Sequence, residues 1–347
     1  MSSNRGHLFF RDILAILNNM KSQLRQDLVS GDWIVIAPGR SGRPHNFFKN
    51  PEKRIRAPKK GCPFESIGKI NQKKPILIYG ESKNWRLQIV ENKYPAFVHK
   101  DVCASILKDG PYSIAEGVGH HDLVVTRDHN DNFSKLSKND ARQVFEAFRD
   151  RYLMLLNDKC LSYVSIFHNW GPKAGASIYH PHYQIISLPI IPPDVEHSLS
   201  GSVNYFKKNK KCVHCVMIEW EKKKKKRIIY ENGGAIAFAP FVSKSPFEIR
   251  IFPKKHLPYF ENTLDENIDY AVDALRHALK KIEKNLKDPD YNFFLHTTPI
   301  SNKLNYKMYH WHIEVIPKVS IRAGFELGTG VDINPVDPDE AATLLSK

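Results

Sequence analysis

The sequence predicts an α+β fold built from two tandem halves, each an antiparallel sheet with a helix packed against it. Two observations carry this prediction. The same ordered set of patterns occurs twice along the chain, which indicates an internal duplication. Each copy also holds one segment with apolar residues at helical spacing, at 137–157 and at 265–286, among shorter runs typical of strands.

The duplication divides the 347 residues into three parts. Residues 1–23 form an N-terminal extension, residues 24–197 the first half and residues 198–347 the second half. In the extension, Arg11 and Asp12 interrupt the apolar stretch LFFRDILAIL, which argues against a secretory signal. No apolar run approaches the ~20 residues needed to cross a bilayer, so we expect no membrane span and a cytoplasmic protein.

In the first half, strands are expected on both sides of a Ser30-Gly31 turn. Residues 85–98 are predicted as strand, turn and strand, and residues 120–130 as a further strand that ends in a turn with a histidine. The helix that follows has Ser137 as its candidate N-cap. A strand at 163–171 then leads into the stretch NWGPKAGASIYHPHYQIISL.

The second half repeats this order of elements. CVHC at 212–215 matches CPFE at 62–65, and each is followed by a predicted hairpin. FEIRIFPKKH at 247–256 ends in a histidine, as the corresponding strand of the first half does. HWHIEVIP at 310–317 matches HPHYQIIS, so each half closes on a strand that begins His-x-His.

The formal net charge of +15 favours an anionic partner or substrate. Much of the charge lies in two lysine runs, at 207–211 and 222–227, on either side of CVHC. No aromatic-rich nucleic-acid motif accompanies them, so we expect solvated loops and do not favour nucleic acid as the partner. The five cysteines are an odd count, which favours metal ligands in a reducing compartment over a disulfide scaffold. Cys103 and Cys160 are therefore expected to be packing residues.

The stretch at 169–188 holds the most specific pattern of the sequence. A glycine-rich turn can hold a phosphate with its backbone N–H groups. His180 and His182 are two residues apart, so on an extended segment they project to the same face. Pro181 favours that extended backbone. We interpret the stretch as a reactive centre, in which one imidazole binds a metal while its neighbour meets a substrate.

Two sets of metal ligands are predicted, one in each half. The second-half set combines a C-x2-C pair with two distant histidines, which tetrahedral zinc favours: Cys212, Cys215, His256 and His310. The first-half set has a glutamate at the place of the second cysteine: Cys62, Glu65, His129 and His180. Carboxylate is an acceptable zinc ligand, so this set either binds zinc or has lost its metal. Its expected role is to anchor the strand that presents His182.

These motifs resemble the galactose-1-phosphate uridylyltransferase family, a duplicated branch of the histidine-triad superfamily, over residues 24–340. The segments that carry the resemblance are WIVIAPGRSGRP, ENKYPAF, NWGPKAGASIYHPHYQ, SPFEIRIFPKKH, HWHIEVIP and GFELGTGVDINP. The resemblance implies two histidine-triad-like halves, zinc, and substrates that are a nucleoside diphosphate sugar and a sugar 1-phosphate or phosphate. Family members are often dimers, which makes a homodimer the expected assembly.

The resemblance also implies roles for single residues. His182 matches the histidine that attacks the α-phosphorus in this family, and Gln184 is placed to donate to the phosphoryl oxygens. Further substrate contacts are expected at Arg40, Arg43 and Asn92 near the nucleotide and phosphates, at Asn169, Gly175 and Ser177 in the reactive stretch, and at Gly324, Phe325 and Glu326 in the sugar-contacting loop. From the residues alone, Arg40 and Arg43 suit either a phosphate clamp or a solvated loop.

The sequence departs from the family pattern at several positions. Ala176 stands where some members carry a cysteine, so no thiol is required there. Glu314 replaces the glutamine in the second half, which is therefore expected to supply structure and sugar contacts. Some relatives hold iron at a different second-half site, which His296 and His312 leave open.

Three functions follow from these observations. The first is exchange of UMP between UDP-glucose and galactose 1-phosphate. The second is the same chemistry with ADP-glucose and inorganic phosphate, because the CxxC and GFE-GTG-INP blocks are similar to the plant-type ADP-glucose phosphorylase. The third is a nucleotide- or RNA-binding protein without turnover, whose binding would be strongly salt-sensitive.

Overall fold

A continuous ten-stranded sheet forms the centre of the molecule in the computed structural model, which describes residues 22–40, 54, 56–66, 74–81 and 84–347. The strands in the described ranges are β1 (Gln23–Gln26), β2 (Trp33–Ile36), β3 (Leu77–Glu81), β4 (Asn84–Glu91), β5 (Leu107–Asp109), β6 (Tyr112–Ile114), β7 (His120–Thr126), β8 (Tyr163–Trp170), β9 (His182–Leu188), β10 (Ile228–Glu231), β11 (Ala235–Phe238), β12 (Ile249–Pro253), β13 (Tyr291–His296), β14 (His312–Pro317) and β15 (Ile333–Asn334). The α-helices there are α1 (Lys138–Leu155), α2 (Pro193–Asn209), α3 (Val213–Lys224), α4 (Asp265–Leu286), α5 (Gly324–Thr329) and α6 (Pro338–Ser346).

The strand order across the large sheet is β10-β11-β12-β14-β13-β8-β9-β7-β4-β3, and the neighbouring strands are antiparallel. At its centre β8 pairs with β13, which places His168 opposite Phe293. The sheets expected for the two halves are therefore joined into one. The predicted α+β class, with antiparallel strands and packed helices, is confirmed, while the exact division of the chain at residue 197 stays a prediction.

Helices α1 and α4 cover one face of the sheet. The Ser137 hydroxyl caps α1 as predicted, because it accepts the Asp140 N–H at 3.1 Å. Each helix turns an apolar face to the strands. Phe148 of α1 and Leu279 of α4 are among the buried side chains. Burial of a side chain of this size stabilises the fold by about 1.5–3 kcal/mol. Within the described ranges, no helix has the length and apolar character needed to cross a membrane.

The opposite face of the sheet carries the candidate site. Tyr183 and Ile185 of β9 lie in the core under the helices. Because side chains alternate along a strand, His182 and Gln184 project from the other face. A second, smaller apolar cluster that includes Phe64 packs on that side.

Both lysine runs were predicted as loops, but each begins inside the last turn of a helix. Lys207 and Lys208 lie in the last turn of α2, and Lys222, Lys223 and Lys224 in the last turn of α3. The carbonyl end of a helix carries partial negative charge, so lysine side chains there stabilise the helix while they remain solvated. A run of one charge is typical of a solvated loop, but it suits the exposed last turn of a helix equally well.

The strand–turn–strand predicted at 85–98 is wrong in its second part. Strand β4 ends at Glu91, and the Asn92 carbonyl oxygen Oδ1 then accepts the Tyr94 N–H at 3.0 Å, which forms a turn. Val98 makes only an isolated bridge with Val118. Side-chain capping of the turn thus replaced the expected hairpin.

Cys103 and Cys160 form a disulfide, so the prediction that they are packing residues is wrong. They lie on loops 57 residues apart in sequence, with 5.0 Å between their Cα atoms. Only the fold brings these loops together, and the sequence pattern gave no sign of it. The pair also accounts for the odd cysteine count, because Cys62, Cys212 and Cys215 are the free cysteines.

Replacing both linked residues, as in Cys103→Ser/Cys160→Ser, is expected to lower the free energy of unfolding by roughly 2–4 kcal/mol, because the link closes a 57-residue loop in the unfolded chain. Urea unfolding without reductant measures the difference. Wild-type protein treated with a reductant should unfold at the same urea concentration as the variant. Equal midpoints for the oxidised wild type and the variant would contradict the stabilising role of the disulfide.

Candidate active site

His182 begins β9 with its imidazole held in one tautomer. Its Nδ1 lies 2.9 Å from the backbone carbonyl oxygen of His180, which can only accept a hydrogen bond. The proton therefore sits on Nδ1, and Nε2 keeps a free lone pair. The side chain is 6% exposed, and burial lowers its pKa below the ordinary histidine value. The ring is therefore neutral at pH 7 and can act as a nucleophile.

The predicted first-half ligands surround His180, two residues before. The ligand atoms of Cys62, His129 and His180 lie within 4.8 Å of one another. The Nδ1 atoms of the two histidines are 3.1 Å apart, and the Glu65 Oε1 lies 3.3 Å from one and 3.6 Å from the other. The structure thus brings the whole predicted set together.

The protonation of these histidines shows that a cation fits between them. His129 Nε2 donates to the Ala57 carbonyl at 2.9 Å, and His180 Nε2 donates to the Thr126 carbonyl at 2.7 Å. Both Nδ1 atoms therefore point lone pairs at each other. Two nitrogen ligands of a tetrahedral zinc ion lie about 3.3 Å apart, close to the spacing seen here. Among the described residues, the buried Glu65 Oε1 also has no hydrogen-bond donor.

The second-half ligands form a matching cluster at the start of α3. The ligand atoms of Cys212, Cys215, His256 and His310 lie within 4.8 Å of one another. Cys215 Sγ is 3.4 Å from His256 Nδ1 and 3.6 Å from His310 Nδ1. Hydrogen bonding from Cys215 lowers the pKa of the Cys212 thiol, which favours the thiolate that binds zinc. This donor set also fits a tetrahedral zinc ion.

Gln184 lies two residues after His182 and projects from the same face. Its Oε1 is 2.9 Å from Nε2 of His121 on the neighbouring strand β7. The predicted contact Asn92 is close by, since its Nδ2 lies 3.0 Å from the same His121 nitrogen. Gln184, Asn92 and His121 therefore form one polar group beside His182, although the sequence analysis did not include His121.

The loop between β8 and β9, residues 171–181, is called the reactive loop. It is anchored by the second half of the chain. The Lys173 N–H donates to Asp290 Oδ2 at 2.7 Å, and Arg54 contacts Asp290 at 3.0 Å. Gly171 has a φ of +86°, and a Cβ there would lie 2.0 Å from Asp290 Oδ1. Only glycine fits at this position.

The three substrate contacts predicted in this loop region differ in exposure and in hydrogen bonding. Asn169 is half-buried, and its Oδ1 accepts the Asn292 side-chain amide at 2.8 Å. The Gly175 N–H donates to the Pro172 carbonyl inside the loop at 3.0 Å, so this group is already bonded. Ser177 is exposed at the end of the loop. Their roles toward a substrate stay predictions.

The remaining predicted contacts lie farther along the chain. Arg40 ends a short 3-10 helix and is exposed, whereas Arg43 lies outside the described residues. Gly324, Phe325 and Glu326 begin α5, where Glu326 Oε2 accepts the Ala323 N–H at 3.0 Å. Strand β14, which precedes this helix, ends at Pro317 opposite Tyr291, and Tyr291 lies opposite Trp170. The segment that contains 324–326 therefore leaves the sheet at the same end as the reactive loop.

The second half has a histidine in the place of His182, but its surroundings differ. His312 Nδ1 donates to the His310 carbonyl at 3.1 Å, which repeats the bond of the first half. Its ring is stacked between Phe252 and His296, each with a centroid distance of 4.6 Å. Burial raises the pKa of Glu314, but the Arg250 guanidinium and the hydrogen bond with His296 together lower it further, to about 2. Aromatic rings and an ion pair thus surround this histidine.

Sequence reasoning missed three residues of the site. His121 positions Gln184, while Asp290 and Asn292 of the second half hold the reactive loop. The period-two alternation of HHDLVVT puts one of its two histidines on each face of β7. Nothing in the sequence tells which strand lies beside β9, so the alternation alone could not identify His121.

Comparison with known proteins supports the motif resemblance over the whole chain. A family model described as "Domain of unknown function (DUF4921)" matches residues 83–346. ADP-glucose phosphorylase of Arabidopsis thaliana is 32% identical over 336 residues, which cover 95% of this chain and 93% of that protein. Galactose-1-phosphate uridylyltransferase of Thermotoga maritima is 26% identical over 333 residues, which cover 93% of this chain and 97% of that protein.

A solved structure agrees with these relatives. ADP-glucose phosphorylase from Arabidopsis thaliana with bound ADP-glucose matches with a TM-score of 0.78 and 29% identity, covering 94% of this chain and 99% of that chain. Fold, motifs and sequence identity therefore give the same answer. The chain belongs to the galactose-1-phosphate uridylyltransferase family of nucleotidyltransferases, which includes the ADP-glucose phosphorylase relatives.

Proposed function

We propose that this protein transfers a nucleotidyl group from a nucleoside diphosphate sugar through a covalent intermediate on His182. The observation that carries the proposal is the hydrogen bond from His182 Nδ1 to the His180 carbonyl, which leaves the Nε2 lone pair for attack. A buried imidazole that forms an N–P bond is both a good nucleophile and a good leaving group.

The reaction divides into two displacements. His182 Nε2 forms a bond to the α-phosphorus, and the bond from that phosphorus to the bridging oxygen breaks, so that sugar 1-phosphate leaves with the oxygen. An oxygen of the acceptor phosphate then attacks the same phosphorus, and the N–P bond breaks to restore the imidazole lone pair. Gln184 donates an amide N–H to the phosphoryl oxygens, whose negative charge grows in both transition states.

The donor that we propose first is ADP-glucose, with inorganic phosphate as the acceptor. Its support is the greater identity to ADP-glucose phosphorylase than to the Thermotoga maritima uridylyltransferase. The second candidate is UMP exchange between UDP-glucose and galactose 1-phosphate, which the sequence motifs alone had favoured. His182 and Gln184 would serve both reactions, since the two differ in the base and the acceptor.

The substrate contacts extend from these two residues. Asn92, Arg40 and Arg43 bind the nucleotide and its phosphates, and Asn169, Gly175 and Ser177 line the phosphate side. Gly324, Phe325 and Glu326 contact the hexose. The Glu326 carboxylate can accept hydrogen bonds that the sugar hydroxyl groups donate. Phe325 is 50% exposed, which leaves its ring free to meet a ligand.

Each metal cluster binds one zinc ion in this proposal. The first is held by Cys62, Glu65, His129 and His180, and the second by Cys212, Cys215, His256 and His310. Bound zinc supplies folding energy and fixed ligand positions. His180 contributes its side chain to the cluster and its carbonyl to His182, so the cluster orients the nucleophile.

We also propose a homodimer. Besides the family resemblance, the β5–β6 hairpin leaves apolar side chains in solvent, with Leu107 62% exposed, Tyr112 73% and Ile114 60%. An apolar patch of this kind is typical of a protein contact surface. A mass of 40.0 kDa in solution, the value for one chain, would contradict the dimer in a light-scattering measurement.

His182→Asn is expected to abolish covalent labelling and to reduce steady-state transfer at least about 10⁴-fold, because no other nucleophile replaces the imidazole. The test incubates protein with ADP-glucose or UDP-glucose labelled on the α-phosphate, without acceptor, and maps the acid-labile adduct. The exposed His197→Asn serves as the control and should label normally.

The labelled donor also decides the base. Label from ADP-glucose with release by phosphate supports the phosphorylase, and label from UDP-glucose with release by galactose 1-phosphate supports the exchange reaction. Full activity of His182→Asn would contradict the mechanism. Tight, salt-sensitive nucleotide binding without any adduct in the wild type would instead support a binding protein.

Metal analysis of purified protein is expected to give about two zinc ions per chain, since each cluster offers a four-ligand set. His129→Ala and Cys215→Ser should each lower this value to about one, because each removes a ligand from a different cluster. Both should also lower the thermal unfolding midpoint. Cys103→Ser/Cys160→Ser removes cysteines outside the clusters and should keep both ions. An unchanged metal content in either ligand variant would refute the corresponding site.

A further inference from the structure

His121 connects the turn after β4 to Gln184. Its Nδ1 lies 3.1 Å from the backbone nitrogen of Ala96, and its Nε2 lies 2.9 Å from Gln184 Oε1. The imidazole is half-buried and sits on β7, whose residues Leu123 and Val124 pair with Gln184 and Tyr183 of β9. The ring thus spans from a backbone donor on one side to the Gln184 side chain on the other.

The Ala96 contact fixes the protonation of His121. A backbone N–H can only donate, so Nδ1 must be the acceptor and carries no proton. In the neutral ring the proton is then on Nε2, which donates to Gln184 Oε1. Asn92 Nδ2, which is 3.0 Å from this nitrogen, is also a donor. Because Nε2 carries the proton, it cannot accept a hydrogen bond from Asn92.

This bond decides which end of the Gln184 amide meets the substrate. The carbonyl oxygen is held toward His121, so the NH₂ group is left to face the space beside His182. Without the His121 donor, rotation of the amide by half a turn would present an oxygen to an anionic phosphate. A carbonyl there would repel the charge that the NH₂ group stabilises.

We infer that His121 is a positioning residue that holds the Gln184 amide with its N–H groups toward the reacting phosphate. The inference rests on the proposed nucleotidyl transfer at His182 and adds a residue to it. The chemistry that His121 must supply is one N–H donor at the position of Nε2. Any side chain of similar length with such a donor should replace it.

Two substitutions separate this role from simple packing. Gln places a side-chain N–H where the histidine has Nε2, and Met has a similar length without a donor. His121→Met should slow formation of the covalent adduct roughly tenfold to hundredfold, while the concentration of donor sugar that half-saturates the rate stays nearly constant. His121→Gln should restore most of the wild-type rate.

The experiment measures single-turnover labelling with whichever of ADP-glucose and UDP-glucose labels the wild type. His120→Gln is the matched control, because His120 precedes His121 on β7, projects from the opposite face and contacts Asp158 at 3.2 Å. It should label at the wild-type rate. Circular dichroism and thermal unfolding check that all three variants are folded.

Two results would overturn the inference while the proposed function stands. The wild-type rate in His121→Met would show that Gln184 needs no partner, and equal losses in the Met and Gln variants would show that packing is what matters. A wild type that forms no adduct with either donor sugar would overturn the proposed function and this inference together. Normal labelling by the wild type therefore separates the two failures.

Discussion

The hydrogen bond from His182 Nδ1 to the His180 carbonyl is the interaction on which the candidate site depends. It selects the tautomer of one histidine through the backbone of another, whose side chain belongs to the first ligand cluster. The same residue pair thus joins the proposed metal site, the start of β9 and the proposed nucleophile. A displacement of the cluster would move the His180 carbonyl, and the imidazole of His182 would lose its fixed orientation.

The second half repeats this bond in different surroundings. His312 bonds to the His310 carbonyl in the same way, beside the second ligand cluster. There, stacked rings cover both sides of the imidazole, and Glu314 pairs with Arg250 at 3.4 Å. The two halves thus share the tautomer and the ligand pattern, whereas the side chains around the imidazole differ.

Patterns that are local, or that occur in both halves, were predicted well. Period and capping located α1 and α4, and the duplication identified the ligand sets that include Cys62 with His180 and Cys212 with His310. What failed are distant contacts that the second half does not repeat. The Cys103–Cys160 link and the His121–Gln184 bond each join residues more than fifty positions apart. Their chemistry is ordinary for their residue types, so only the strand order reveals them. The prediction of loops for the lysine runs failed for a different reason, because solvated charge does not distinguish a loop from the last turn of a helix.

The pairing of β8 with β13 has a consequence for how this protein could be divided. The first half contains His182, and β8, which delivers its loop, would be an open edge once the second half were removed. Unpaired N–H and C=O groups on a long edge strand are a template for association with other chains. The isolated half would also lose Asp290 and Asn292, which hold the loop in place. The first half on its own would therefore combine an open strand edge with an unanchored loop.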